Sequence, residues 1–327
     1  MLCLATLAES RLRSAVRRKP EPITRLPMPV DIQRIEMDQL ACWRVRRGED
    51  ELLIAEQGAQ ILSYRQGDGP PIIWLSEEAA YQQGQSVRGG VPVCWPWFGD
   101  LTRNPQGVQA SYHGDQPAPF HGLVRTLPWQ LREQRSEGDT AVLEFHCPQA
   151  LGQLPGWPHR VELALQIRLA DELELSLSSR NVGTEAVTIS QALHSYFAVS
   201  DIRQVRVEGL AGCPYIDTLL DWQQCRQQDG DLAFNGETDR IYLQLPTTLE
   251  LIDPAWKRSI RLTTRGSRSA VLWNPWIDKA KRLSSFADDA WQRMACIETA
   301  NVLDDVVVLQ PGQQHLLGVS VTAIPAL

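Results

Sequence analysis

RVELALQIRL at 160–169, followed by ELELSLSS at 172–179, decides the fold. Val161, Leu163, Leu165, Ile167 and Leu169 recur at every second position, the period of a strand with one face on a core. A tight turn near Asp171 separates the two segments, so they predict an antiparallel pair with one side buried. Upstream, TAVLEFH (140–146) is a further alternating strand, and ELLIAE (51–56) and AQILSY (59–64) flank Gln57 and Gly58 as a hairpin. Downstream, VRVEG, IYLQL, LELID, RSIRLTT, AVLWN, MACIET and HLLGVSVTA continue the pattern. Helical periodicity is confined to short pieces near Glu77 and Asp278, and no short repeat occurs. The expectation is an all-β protein, a large antiparallel β-sandwich of stacked sheets, with long Gly- and Pro-rich loops between residues 84 and 122.

Composition narrows the function. The chain has 327 residues, enough for a large core, and its net charge of -7 argues against nucleic acid as a partner. Seven cysteines, at 3, 42, 94, 147, 213, 225 and 296, form no CxxC pair, which suggests neither a disulfide framework nor a structural zinc site. No apolar run is long enough to span a membrane and no secretory signal opens the chain. A cytoplasmic protein is expected. Residues 1–30 carry Arg11, Arg13, Arg17, Arg18 and Lys19 and then four prolines; they read as a mobile extension ahead of a domain at 31–327.

Several residues exceed what a sandwich needs. In SQALHSYFAVSDI (190–202), Leu193, Phe197 and Val199 form a core face, while His194 and Tyr196 stand among alanines on the other. Such a histidine is either satisfied by backbone or poised over a ligand. VRGGVPVCWPWFG (87–99) places Arg88 before two glycines that let backbone and ligand approach, and presents Trp95, Trp97 and Phe98 as a sugar platform or as a small core for the loop. PFHGLVR (119–125) again sets a cation, Arg125, near a glycine and adds His121. Two such arginines in an acidic chain suggest a pocket for phosphate or carboxylate, with surface ion pairs as the alternative. Asp239 precedes an alternating strand, where it either caps or accepts ligand hydroxyls. Glu298 shares parity with Met294 and Cys296 and is the one acid in an apolar run, a strand-end carboxylate or a desolvated base.

Taken in order, RGGVPVCWPWFG, HGLVR, LHSYF, TDRIY, WNPW and CIE resemble the aldose 1-epimerase superfamily, most closely its hexose-6-phosphate branch, over roughly residues 35 to 325. The resemblance implies a galactose-mutarotase-like supersandwich that interconverts the α and β anomers of a hexose 6-phosphate, glucose 6-phosphate foremost. It places the general acid at His194, the general base at Glu298, and substrate contacts at Arg88, His121, Arg125 and Asp239. It implies a monomer acting on a small sugar phosphate, with no cofactor and no metal. Leu123 departs from the pattern: HGLVR stands where relatives show HGFAR, which would remove a ring from the pocket. A mutarotase of unphosphorylated sugars and a non-catalytic carbohydrate-binding protein are the alternatives on the same fold. Only the catalytic readings need both His194 and Glu298. A glycosidase fits less well, because that chemistry uses two carboxylates.

Overall fold

A computed structural model describes residues 28–220 and 222–325. The expected extension over residues 1–30 falls, up to residue 27, outside the described residues. Val30 already opens a strand, Val30–Met37.

The deciding pair forms as its alternation requires. Val161–Leu169 and Leu173–Asn181 run antiparallel with Leu169 opposite Leu173, and all five apolar side chains of the first strand are buried. Each such side chain contributes about 1.5–3 kcal/mol by leaving water. The pair lies inside a nine-stranded antiparallel sheet, ordered Leu232–Ala233, Arg206–Glu208, Thr248–Asp253, Arg258–Arg265, Gln314–Pro325, Leu173–Asn181, Val161–Leu169, Thr140–His146 and Gln130–Glu137. A second sheet runs Cys225–Gln227, Pro214–Asp217, Thr238–Tyr242, Ser269–Asn274, Met294–Asn301, Gln191–Leu193 and Val93–Cys94, with Tyr196–Ala198 also paired to Met294–Asn301. Leu163, Leu165 and Leu177 of the first sheet meet Leu193, Phe197, Leu272 and Ile297 of the second in one buried cluster. The other face of the second sheet carries Ala192, Ile241, Val271 and Ala300, and it is this face that floors the site described below.

The hairpin at 51–64 is present as Asp50–Ala55 and Ile61–Arg65, joined by Val30–Met37 and Leu40–Arg47 into a four-stranded sheet. The helical piece near Asp278 is the short helix Trp276–Ala280, whereas Glu77 sits in a turn made by Ser76, whose carbonyl accepts the Ala79 N–H at 3.1 Å. No helix among the described residues is long and apolar enough to cross a membrane. The six described cysteines are free.

One expectation is corrected. The stretch 190–202 is not a continuous strand but two, Gln191–Leu193 and Tyr196–Ala198, with His194 and Ser195 outside the ladder. The break has a local cause: the His194 N–H donates to Pro92 O at 3.0 Å and the Ser195 N–H turns back to Leu193 O at 2.9 Å.

Candidate active site

Register brings the two singled-out groups together. Leu193 opposes Thr299 and Tyr196 opposes Cys296, so His194, in the break, faces Glu298. Their side chains meet with His194 Nε2 at 3.4 Å from Glu298 Oε1. Tyr196 stacks on the imidazole almost in parallel, centroids 4.8 Å apart and planes 8° apart. Trp273 stands edge-on to both rings.

Around this pair lies a cleft of about 660 Å³, and all six residues singled out in the sequence line it: Arg88, His121, Arg125, His194, Asp239 and Glu298. His121 accepts the Gly99 N–H at Nδ1 (3.1 Å), which leaves its proton on Nε2. Its ring lies edge-to-face with Phe98, Phe120 and His194. Asp239 is inside the strand Thr238–Tyr242 rather than ahead of it, opposite Trp273, and its carboxylate lies 3.8 Å from Lys279 Nζ. Neither Arg88 nor Arg125 has a carboxylate within ion-pair distance among the described residues; Arg88 donates to Ser284 O at 3.3 Å and also bonds the Tyr196 hydroxyl.

Burial dominates the electrostatics. It pushes the Glu298 carboxyl well above the carboxylate range, with the Asp239 charge adding to the effect. It also pushes His194 down to about 3, helped by the Arg125 and Arg88 cations. His121 is lowered for the same reasons, burial first and its cationic neighbours after. A carboxylate 3.4 Å away would by itself raise the histidine, yet its shift runs the other way. Desolvation outweighs the partner and favours the neutral form of both groups. Glu298 Oε2 and His194 Nδ1 have no hydrogen-bond partner among the described residues, an arrangement that costs about 1–3 kcal/mol per group in a closed interior. His121, Ser285 and Leu303 all line the cleft with positive φ (65°, 53° and 54°), a strain characteristic of ligand-binding surfaces.

The loops differ from expectation in detail. Trp95 and Trp97 are fully buried and anchor the loop, donating to Ser179 Oγ (3.1 Å) and Pro119 O (2.8 Å), while Phe98 alone of the three lines the cleft. Gly89 and Gly90 serve chain packing rather than ligand approach: a Cβ would lie 2.8 Å from Leu75 Cα at Gly89 and 2.1 Å from Ile61 O at Gly90. Leu123 packs against the main core and is not part of the lining, so the missing ring does not reshape the cleft. Trp273, Thr218, Trp222 and Lys279 line the cleft without having been singled out. Trp273 was recoverable from its parity with Val271 in AVLWN; Lys279 carried no sequence signal.

His194, Cys296 and Glu298 place donor atoms within 4.8 Å of one another, the one metal-compatible group among the described residues. Burial holds the Cys296 thiol well above its usual range, hence protonated, which disfavours a cation there.

The model of the family described as aldose 1-epimerase matches residues 42–322. Proteins from Escherichia coli (strain K12) and Cenchrus ciliaris, each named "Putative glucose-6-phosphate 1-epimerase", are both 32% identical; the alignments cover 90% and 82% of this chain and 94% and 80% of those proteins. The crystal structure of a protein from Salmonella typhimurium described as "a putative mutarotase" superposes with a TM-score of 0.79 at 27% identity, covering 91% of this chain and 97% of that one. A galactose mutarotase-like protein from Clostridium acetobutylicum, 15% identical with a TM-score of 0.71 over 91% of this chain and 99% of its own, shares the fold. The galactose-mutarotase-like architecture expected of the sequence is the one present.

Proposed function

The chain belongs to the aldose 1-epimerase family, a family of isomerases, and from that premise we propose that it interconverts the α and β anomers of a hexose 6-phosphate, glucose 6-phosphate first among them. Ring opening requires that the C1 hydroxyl lose a proton while the ring oxygen gains one; the C1–O5 bond breaks as C1 becomes an aldehyde. Rotation about C1–C2 and reclosure on the other face complete the exchange. Glu298 is the base towards the hydroxyl and His194 the acid towards the ring oxygen, and each reverses its role on closure. Positioned proton transfer of this kind contributes on the order of 10²–10⁴ in rate per group.

The shifts suit the chemistry, because desolvation favours the neutral pair, in which Glu298 carries the proton. Moving it across 3.4 Å to His194 produces the carboxylate and imidazolium that opening needs, without uptake from solvent. Binding a phosphate dianion between Arg88 and Arg125 would offset the two cations that depress His194 and so favour that transfer. Arg88 and Arg125 clamp the phosphate, while His121 Nε2–H and the Asp239 carboxylate hold sugar hydroxyls. One observation carries this reading: a histidine and a carboxyl, 3.4 Å apart and buried, share a cleft with two arginines that have no carboxylate partner among the described residues.

The test is kcat/KM for glucose 6-phosphate and for glucose in wild type, Arg88→Ala and Arg125→Ala. Each clamp contact is a charge-assisted hydrogen bond of about 1.5–3 kcal/mol, so either substitution should lower the phosphorylated substrate's value roughly ten- to hundredfold and leave glucose less affected. Lys at either position should recover part of the loss, since it keeps the charge without the planar fork. Equal wild-type values on both sugars would instead favour a mutarotase of free sugars.

A further inference from the structure

Asp239 lies half-buried on the cleft floor, where burial raises its proton affinity, yet a carboxylic acid would accept sugar hydroxyls poorly. Lys279 is the cation beside it. Its Nζ stands 3.8 Å from Asp239 Oδ2, 3.1 Å from Glu237 Oε1 and 5.8 Å from the centre of the Trp273 ring, and it lines the same cleft. Its backbone is fixed. The helix Trp276–Ala280 starts at Asn274, a fully buried side chain whose Nδ2 donates to Trp291 O (2.8 Å) and Met294 O (2.9 Å) and whose Oδ1 accepts the Trp276 N–H (2.9 Å).

From this geometry we infer that Lys279 is a positioning residue, whose ammonium keeps Asp239 a carboxylate directed at the sugar; the inference rests on the sugar-phosphate reading above. The other titratable groups facing Asp239 are all acidic. Glu237 lies just ahead of its strand, Asp217 comes from the neighbouring strand and is itself held by Arg240 (3.4 Å), and Glu298 stands across the floor. The Ser269–Asn274 strand on the other side contributes no ionisable group. Lys279 is therefore the cation that offsets them at Asp239, and it shares itself with Glu237.

The experiment uses 1,5-anhydroglucitol 6-phosphate, which has no anomeric hydroxyl and so binds without turning over. Its Kd is measured by calorimetry for wild type, Lys279→Met, Lys279→Arg and Glu237→Gln, from mildly alkaline to mildly acidic buffer. The ligand phosphate titrates alike in every arm, so the differences between proteins carry the result. Lys279→Met should bind within a few-fold of wild type at the alkaline end and lose affinity on acidification, by up to about tenfold per pH unit, the limit for one proton. The total loss should reach roughly ten- to a hundredfold, the worth of a hydrogen bond to a charged acceptor. Lys279→Arg should follow wild type, and Glu237→Gln should bind at least as tightly as wild type with no added pH dependence. A pH-independent loss in Lys279→Met, or an acid-dependent loss in Glu237→Gln equal to it, overturns the inference while the sugar-phosphate reading stands. Wild type that fails to bind the probe overturns both.

Discussion

Buried charge is treated in opposite ways at the Arg47 cluster and in the cleft. Arg47, 3% exposed, is fully engaged: it donates to Asp139 O (2.7 Å) and pairs with Asp50 (3.3 Å), Asp139 (3.1 Å) and Asp171 (2.7 Å), tying the four-stranded sheet to two turns of the nine-stranded one. In the cleft, Glu298 and His194 each keep one polar atom without a partner among the described residues, and Arg88 and Arg125 have no carboxylate among them. A folded chain seldom leaves buried polar groups unpaired without a use for them. Complete pairing marks Arg47 as structural. Unpartnered atoms also occur away from the cleft, at Tyr64 Oη, Trp74 Nε1 and Arg258 Nε, but in the cleft they belong to an acid and a base that share an open cavity with two arginines, which suits it to a ligand.

The sharpest way to break this contrast is to remove one charge from each place. Glu298→Gln and His194→Ala should each lower turnover of glucose 6-phosphate by at least about a hundredfold with binding little changed, as loss of a proton-transfer group does. Near-normal turnover in a folded variant would remove that residue from its role. Arg47→Ala should do the reverse, costing about 1–3 kcal/mol of stability, chiefly by leaving the buried Asp50 without its arginine partner since Asp139 and Asp171 can turn to water, while leaving turnover per folded molecule intact. Denaturant unfolding alongside activity separates the two.

A smaller effect sharpens the contrast through pH. Glu298 has a raised pKa in the folded protein, so its favourable contribution to stability is complete below the ordinary carboxylate range and is lost as pH rises towards its folded-state value. Glu298→Gln does not titrate. Its Tm relative to wild type should therefore climb as pH is raised from acid to neutral, and a constant difference would argue against a desolvated carboxyl. Turnover should follow a broad bell, because the pair works with one proton. It gains a second as pH falls towards the His194 value of about 3, and loses the last as pH rises through the elevated Glu298 value. A flat rate across that whole span would contradict acid–base pairing where ring opening limits turnover.

How legible each part was in the sequence follows from how local its cause is. Val161 to Leu169 could be assigned because alternation on a half-buried sheet is written residue by residue. Val30–Met37 was less legible, since Asp31, Arg34 and Glu36 interrupt the apolar pattern of a partly exposed strand. Glu298 was placed correctly by parity with Cys296. The break at His194 and Ser195 was not readable, because it depends on a carbonyl of Pro92, from a loop far away in sequence. Trp95 and Phe98 lie in one loop and look alike as aromatics, yet one fills the core and the other faces the cleft. Lys279 could not be found at all, since its meaning lies in two carboxylates brought to it by another strand.

The central claim, that this cleft exchanges the anomers of a hexose 6-phosphate, is tested most directly by exchange NMR on glucose 6-phosphate at anomeric equilibrium. Magnetisation placed on the α H1 resonance should reach the β H1 resonance faster in proportion to added wild-type protein, with no other product, and no faster than buffer when Glu298→Gln replaces it. Exchange that stays at the buffer rate with folded wild-type protein would contradict the account.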